Sequence, residues 1–182
     1  MSRYELRIAG FGGQGVITAG YVLASAASIH EGKHALMTQS YGPEARGGAC
    51  KADVIISDVP IDYPKTSRVD CFVALSVDAY AMFNGEVREG GAIIYDDSLV
   101  SIPEPHRIRR VSFYGVSAAE VAAELGSSLS ANMVILGSLV GVTGVVGLDA
   151  VREAIRERFL RRAAVNLEAL ERGRDLVKPP RA

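Results

Sequence analysis

The residues best suited to chemistry form a glycine-rich motif, Gly10–Gly15 (GFGGQG). It follows the apolar run 6–9, which predicts a strand, and precedes residues 16–31, whose Ala, Val, Ile and Leu content predicts a helix. A strand, a glycine turn and a helix N-terminus together present backbone N–H groups and a positive dipole end to an anion. The spacing fits the dinucleotide-binding pattern G-x-G-x-x-G. The predicted ligand-binding residues of this motif are Gly10, Gly12, Gly13, Gln14 and Gly15.

The motif lacks the acidic partner that a dinucleotide site normally has. That residue holds the ribose and stands about twenty residues further on, but residues 33–40 (KHALMTQS) contain neither Asp nor Glu. Three interpretations remain open. The glycines allow a tight turn between strand and helix, they form part of a nucleotide site, or the loop meets a partner subunit or another phosphate ligand.

A second unusual segment, residues 38–48 (TQSYGPEARGG), follows the second predicted strand. It is therefore expected at the same sheet edge as the glycine turn, where ligands of open α/β sheets bind. Arg46 offers a planar guanidinium suited to phosphate or carboxylate, and Gly47 and Gly48 allow close approach of a ligand or chain. The alternative is that Arg46 only stiffens the loop by pairing with Glu44 or Asp53.

No complete catalytic set is recognisable, and we predict neither catalytic nor metal-binding residues. His30, His34 and His106 are scattered along the sequence. Asp96-Asp97 follows a predicted strand, where such a pair binds Mg²⁺ or, more often, belongs to a loop or caps a helix. Cys50 and Cys71 lie in apolar runs and form no C-x-x-C motif, so this chain alone is not expected to hold an iron–sulfur cluster.

Composition favours one α/β domain over residues 1–182. The apolar content of 48% allows a sizeable core, and the net charge of −1 gives no reason to expect nucleic acid or an anionic membrane as partner. The N-terminus does not resemble a signal peptide, so a cytoplasmic location is expected. The basic C-terminal stretch from Arg158 to Lys178 is interpreted as a solvated face, with docking on an acidic partner as the alternative.

Short apolar runs alternate with helical segments, which predicts a three-layer, mostly parallel, Rossmann-like sheet with helices on both faces. A local antiparallel pairing is expected near the third and fourth strands, which only a proline-containing loop separates. From Asn132 onward the chain is predicted to be helical, and Gly137, Gly141 and Gly144 favour close helix packing. The predicted strands span 4–9, 35–38, 50–57, 69–76, 91–95 and 107–111, and the predicted helices 16–31, 79–83, 118–125, 132–146, 148–158 and 163–177.

Together the two loops resemble a known family. Gly10–Gly15 followed by Gln39–Gly48 (QSYGPEARGG) is similar to the gamma subunit of 2-oxoacid:ferredoxin oxidoreductases. The similarity continues through Ala52–Asp58 (ADVIISD) and Pro60–Pro64 (PIDYP). Within that family the chain looks most like the 2-oxoglutarate type.

The resemblance implies an enzyme subunit that is inactive alone. The whole enzyme would decarboxylate a 2-oxoacid oxidatively, join the acyl group to coenzyme A (CoA) and reduce ferredoxin. Thiamine diphosphate, Mg²⁺, iron–sulfur clusters and CoA would be held mainly by partner subunits, namely alpha, beta and in some assemblies delta. The glycine turn and Arg46–Gly48 would line the shared edge of this assembly. The alternatives are a stand-alone nucleotide- or dinucleotide-binding module and an indolepyruvate oxidoreductase subunit, and the isolated chain could form a homodimer.

Overall fold

A mixed six-stranded sheet forms the centre of the molecule. The computed structural model describes residues 3–42, 48–102 and 110–177. The strand order is β2-β3-β1-β4-β5-β6. The strands are β1 (Tyr4–Phe11), β2 (His34–Tyr41), β3 (Ala49–Ser57), β4 (Val69–Ala74), β5 (Val87–Asp96) and β6 (Ser112–Val116). The helices are α1 (Val16–Ser25), α2 (Val77–Phe83), α3 (Ala118–Glu124), α4 (Ala131–Thr143), α5 (Leu148–Arg158) and α6 (Ala163–Leu176).

Five of the six strands run in one direction. β4 is parallel to β1 and to β5, and β5 is parallel to β6, whereas β3 is antiparallel to both of its neighbours, β1 and β2. The predicted mostly parallel α/β sheet is therefore confirmed. The antiparallel pairing is a hairpin between β2 and β3 instead of a contact between the third and fourth strands, because β1 separates those two.

Helices cover both faces of the sheet, as predicted. Leu6 and Ile8 of β1 point into the larger core, which α1, α3, α4, α5 and α6 complete. Ala9 belongs to a smaller core on the opposite face, where Tyr80 of α2 packs with Val100 and Ile102. β1, β4, β5 and β6 thus contribute alternate residues to two apolar layers, which favours continuous apolar runs in strands covered on both faces.

Several element bounds differ from the sequence prediction, among them those of β2, the last strand and α1. β2 has eight residues instead of four, because it is an edge strand whose Thr38 and Ser40 are exposed and give no apolar signal. The last strand begins at Ser112, so the predicted strand 107–111 is wrong at Arg110 and Val111, and residues 107–109 lie outside the described residues. Helix α1 continues as a π-helical turn over Ala26–His30, close to the predicted end at residue 31.

Glycines allow close helix packing in the C-terminal part of the chain. This confirms the prediction for two of the three glycines named for it. Gly137 and Gly141 of α4 face α6, where an added Cβ on Gly137 would lie 2.0 Å from the carbonyl oxygen of Leu170. Gly144 instead ends α4 in the left-handed conformation, with φ of 57°. In the described part of the chain, no helix has both the length and the apolar character needed to cross a membrane.

Candidate functional site

The glycine motif forms the turn between β1 and α1. Gly13 and Gly15 have φ of 98° and 75°, a region that residues with a Cβ rarely adopt. Space also restricts Gly15, since a Cβ there would lie 2.2 Å from Nδ2 of Asn132 on α4. The glycines therefore serve the turn itself, as one interpretation predicted, and this does not test their predicted role in binding.

Gln14 holds this turn together through its side chain. Its Oε1 accepts a hydrogen bond from the backbone N–H of Phe11 at 2.7 Å, and its Nε2 donates to the carbonyl oxygen of Leu75 at 2.8 Å. Gly10 must lack a side chain because a Cβ would meet that Oε1 at 2.4 Å. The amide thus links the glycine turn to the end of β4. Gln14 as a ligand donor stays a prediction, and its amide already has two partners in the chain.

The start of α1 leaves backbone donors without a side-chain cap. Gly15 is the N-cap and makes no side-chain capping hydrogen bond, and the first turn of the helix carries no acidic residue. The N–H of Gly12 donates to the carbonyl oxygen of Gly48 at 3.0 Å. The unpaired N–H groups in the first turn and the positive end of the helix dipole favour an anion here.

The second loop lies beside the glycine turn. The hydrogen bond between Gly12 and Gly48 joins the two segments directly, and Phe11 stands opposite Ala49 in the β1–β3 register. Both segments lie at the C-terminal ends of β1, β2 and β4, which together form one edge of the sheet. Arg46 and Gly47 lie outside the described residues, so their roles stay predictions, as does that of Gly48.

Two cavities flank the glycine turn. One, of about 210 Å³, lies between Gly10, Tyr41 of β2, and Met82 and Phe83 of α2. The other, of about 230 Å³, lies between Gly13, Leu129 and Asn132 on the side of α4. Both open at the same edge of the sheet, so this edge has the concave shape that a ligand or an inserted partner segment requires.

A buried ion-pair cluster lies on the sheet face behind this edge, and sequence reasoning missed it. Arg7 of β1 is 2% exposed, and its Nε donates to Oδ1 of Asp53 on β3 at 2.6 Å. The Arg7 guanidinium also contacts Glu86, bonds Oγ1 of Thr66 at 3.1 Å and lies 4.7 Å from the centre of the Phe83 ring. Asp53 is thus occupied by a partner that the sequence interpretation did not consider.

The cluster fixes the charge state of Asp53. Burial by itself raises the pKa of the Asp53 carboxyl, but the hydrogen bonds and positive charges of Arg7 and Lys51 outweigh burial and hold the pKa below its ordinary value. The Nζ of Lys51 lies 3.0 Å from Oδ2 of Asp53. The polar residues at alternate positions of 51–53 (KAD) were the available signal, because alternate residues of a strand share one face.

Asp96 is a helix cap, the more common of the two roles considered for this pair. It is 1% exposed, and its carboxylate accepts hydrogen bonds from the backbone N–H groups of Ala119 at 2.9 Å and Ser98 at 3.1 Å. Ser117, which stands at the N-cap position of α3, makes no capping bond and donates instead to Oδ1 of Asp97. In residues 3–42, 48–102 and 110–177, no group of three or more His, Cys, Asp or Glu side chains could hold a metal ion.

The two cysteines are buried free thiols on strands that β1 separates. Burial, with a contribution from the charge of Asp70, raises the pKa of Cys71 to about 12. A protonated, inaccessible thiol is a poor ligand for iron. Since iron–sulfur clusters commonly take four thiolates, the cysteines of this chain do not fit such a cluster.

Comparison with known proteins gives consistent matches. The family described as pyruvate ferredoxin/flavodoxin oxidoreductase matches residues 5–176. The chain is 46% identical over 180 residues to the 2-oxoglutarate synthase subunit KorC of Methanothermobacter thermautotrophicus, covering 96% of this chain and 95% of that protein.

Two solved structures share the fold. The gamma subunit of a keto/oxoacid ferredoxin oxidoreductase from Geobacter sulfurreducens has a TM-score of 0.83 and 36% identity, covering 95% of this chain and 97% of that one. A chain of the 2-oxoglutarate:ferredoxin oxidoreductase from Magnetococcus marinus has a TM-score of 0.86 and 25% identity; the match covers 99% of this chain but 32% of the longer one. The resemblance inferred from the two loops is confirmed, and the chain belongs to the pyruvate ferredoxin/flavodoxin oxidoreductase family.

Proposed function

We propose that this chain is the gamma subunit of a 2-oxoglutarate:ferredoxin oxidoreductase of the cytoplasm. The assembled enzyme decarboxylates the 2-oxoacid oxidatively, transfers the acyl group to CoA and passes the electrons to ferredoxin. The observation that carries this proposal is the similarity to a 2-oxoglutarate synthase subunit over nearly the whole chain. The lack of a catalytic set among the described residues fits a subunit that works only with partners.

The cofactors are proposed to sit mainly on other subunits. Thiamine diphosphate, Mg²⁺ and the iron–sulfur clusters supply the decarboxylation and electron-transfer chemistry, and the alpha and beta subunits, with delta in some assemblies, hold them. The buried Cys50 and Cys71 support this assignment for the clusters. This chain's own contribution is to bind and orient a ligand at the edge formed by the glycine turn and the second loop.

The ligand proposed for that edge is CoA, whose phosphates match the available donors. The first turn of α1 offers backbone N–H groups and itself carries no acidic residue, and Arg46 adds a positive charge. Gly10, Gly12, Gly13, Gly15, Gly47 and Gly48 are the glycines proposed to line this edge, and Gln14 holds the turn in place. The cavities on either side accept the apolar parts of a ligand or a partner segment.

An assay of the reconstituted complex tests the function. The chain is produced together with the other subunits encoded beside it, and ferredoxin reduction is measured with CoA and each of several 2-oxoacids. We expect the highest kcat/KM with 2-oxoglutarate and no activity without CoA. Preference for indolepyruvate, or a thermal shift of the isolated chain with NAD and no association with other subunits, would contradict the proposal.

Replacement of Arg46 tests the proposed edge site. We expect Arg46→Ala to raise the KM for CoA, or to weaken subunit association, by about tenfold or more, because a hydrogen bond to a charged group contributes about 1.5–3 kcal/mol. The matched control is Arg68→Ala, which removes the same charge from an exposed position just before β4, at the opposite sheet edge. Equal KM and equal association in both variants would remove Arg46 from the site.

A further inference from the structure

The short connection between α5 and α6 presents an unusually exposed apolar side chain. Leu160 is 85% exposed, more than any other large apolar residue that the structure describes. The connection is an ordered turn, since the N–H of Arg162 donates to the carbonyl oxygen of Phe159 at 2.6 Å. Phe159 itself packs against the larger core. The fold therefore holds Leu160 outward in a fixed position.

Three arginines without carboxylate partners flank Leu160 in the sequence. Arg158, Arg161 and Arg162 are exposed, and none forms an ion pair with any residue the structure describes. The guanidinium of Arg158 lies 5.9 Å from the Tyr21 ring centre and 5.6 Å from that of Phe159, which orients it without neutralising its charge. The nearby carboxylate of Glu157 faces His30 at 3.5 Å.

The other arginines of α5 and α6 behave differently. Each has a carboxylate partner within the chain: Arg152 pairs with Glu171, Arg172 with Glu124 and Arg174 with Asp175. Arg156 pairs with Glu153. Within the segment from α5 to α6, the arginines without a carboxylate partner are thus confined to residues 158–162, on either side of Leu160.

Two of these arginines also stand where positive charge is unfavourable. Arg161 and Arg162 lie at the N-terminal end of α6, which has no acidic residue in its first turn and no side-chain cap at Arg162. Positive charge at the positive end of a helix dipole lowers stability. The chain carries this unfavourable charge beside an exposed leucine, and carboxylates supplied from outside would compensate it.

We propose that Leu160 with Arg158, Arg161 and Arg162, the Leu160 patch, docks onto another subunit of the oxidoreductase. The partner surface has carboxylates around an apolar pocket that receives Leu160. This inference rests on the proposed function, which makes the chain one subunit of several. A protein partner fits better than a lipid surface or nucleic acid, because the patch has one apolar residue and the chain has a net charge of −1.

The test compares matched variants in the reconstituted complex. Arg161→Gln/Arg162→Gln removes two unpaired charges, and Arg172→Gln/Arg174→Gln removes two paired charges from the same helix. Leu160→Ser is matched by Val59→Ser, at another exposed aliphatic residue, 55% exposed. The dissociation constant for the remaining subunits is measured at low and high salt, and the melting temperature is measured on the full chain alone.

We expect opposite effects on stability and assembly. Arg161→Gln/Arg162→Gln raises the melting temperature of the full chain by about 1–4 °C, because unfavourable helix-end charge is removed. The same variant raises the dissociation constant by about tenfold or more at low salt and by less at high salt. Leu160→Ser raises the dissociation constant at both salt concentrations, and both controls leave it within about threefold.

Other results would contradict either the role of the Leu160 patch or the proposed function. If the wild-type chain associates and the patch variants associate equally well, the Leu160 patch is not the docking surface and the proposed function stands. If the wild-type chain does not associate at all, the proposed function fails as well. Wild-type binding to phosphatidylglycerol vesicles that the patch variants lose would show a lipid-binding surface and overturn the inference.

Discussion

Gly173→Ala is expected to destabilise the protein by about 2 kcal/mol or more, although alanine is the better helix former. In the interior of an exposed helix the same change gains about 1 kcal/mol. Here the added Cβ would lie 1.8 Å from the carbonyl oxygen of Val134 and 2.6 Å from its carbonyl carbon. These are backbone atoms of α4, which no side-chain rotation can move away, so α4 and α6 must separate by more than 1 Å.

The separation of the two helices has further costs. The hydroxyl of Ser138 donates to the carbonyl oxygen of Gly173 at 2.8 Å, and a displaced α6 loses this buried hydrogen bond. The apolar contacts of Leu170 with the larger core loosen at the same time. Packing therefore outweighs helix propensity, and the sign of the stability change distinguishes the two effects.

Thermal and urea unfolding of the full chain measure this effect. We expect the melting temperature to fall by about 5 °C or more, because 1 kcal/mol corresponds to about 2–4 °C in a chain of this size. The matched control is Glu168→Ala, which also introduces alanine into α6 but on its exposed face; we expect a change within about 0.5 kcal/mol. A Gly173→Ala protein as stable as the wild type would contradict the close contact between α4 and α6.

The sequence predicted elements buried on both faces better than elements at the edge of the sheet. Residues 50–57 and 69–76 read clearly as strands, because both faces of these strands are covered and most of their side chains are apolar. β2 has a neighbouring strand on one side only, and its exposed Thr38 and Ser40 give no apolar signal. Only half of its length was therefore predicted. An apolar run in the sequence indicates a buried strand. Too few residues of an edge strand are buried to produce such a run.

The contacts within the site depend on the register between β1 and β3, which could not be predicted from the sequence. Arg7 stands directly opposite Asp53 because β3 runs antiparallel to β1. That orientation follows from the hairpin between β2 and β3, whereas alternating strands and helices favour parallel crossovers. The adjacency of the glycine turn to the second loop was nevertheless predictable, because the end of β1 and the end of β2 reach the same edge in either arrangement.

Asp53→Ala is expected to cost about 3–5 kcal/mol, because it leaves the buried guanidinium of Arg7 without its main partner. Arg7 is 2% exposed, so its guanidinium has almost no contact with water, and it lies against the Phe83 ring. Glu86 also contacts this guanidinium, but its side chain is 42% exposed, so water weakens its attraction to Arg7. The carboxylate of Asp53 therefore supplies most of the compensation for burying Arg7.

Two further variants distinguish the effect of breaking a buried ion pair from the effect of removing a carboxylate charge at the surface. Asp149→Ala removes one of the two carboxylate partners of Arg152, on a side chain that is 95% exposed, and we expect a loss of at most about 0.5 kcal/mol. Arg7→Met/Asp53→Leu replaces both buried charges with apolar groups and is expected to recover much of the loss seen in Asp53→Ala. Equal losses in Asp53→Ala and Asp149→Ala would contradict the importance of burial.

The pH dependence of stability identifies the ionised form of Asp53 as the stabilising one. Its pKa in the folded chain lies below the ordinary value of 3.8, so its contribution is fully present above about pH 5 and is lost as the pH falls through 3.8 towards the folded-state pKa. The difference in unfolding free energy between wild type and Asp53→Ala is therefore expected to be constant from pH 7 to about pH 5. Below about pH 4 the difference should shrink as the wild-type carboxyl takes up a proton, and urea unfolding at several pH values measures it. A difference that does not change down to the acid limit of folding would mean that Asp53 stabilises the chain through packing, without a contribution from its charge.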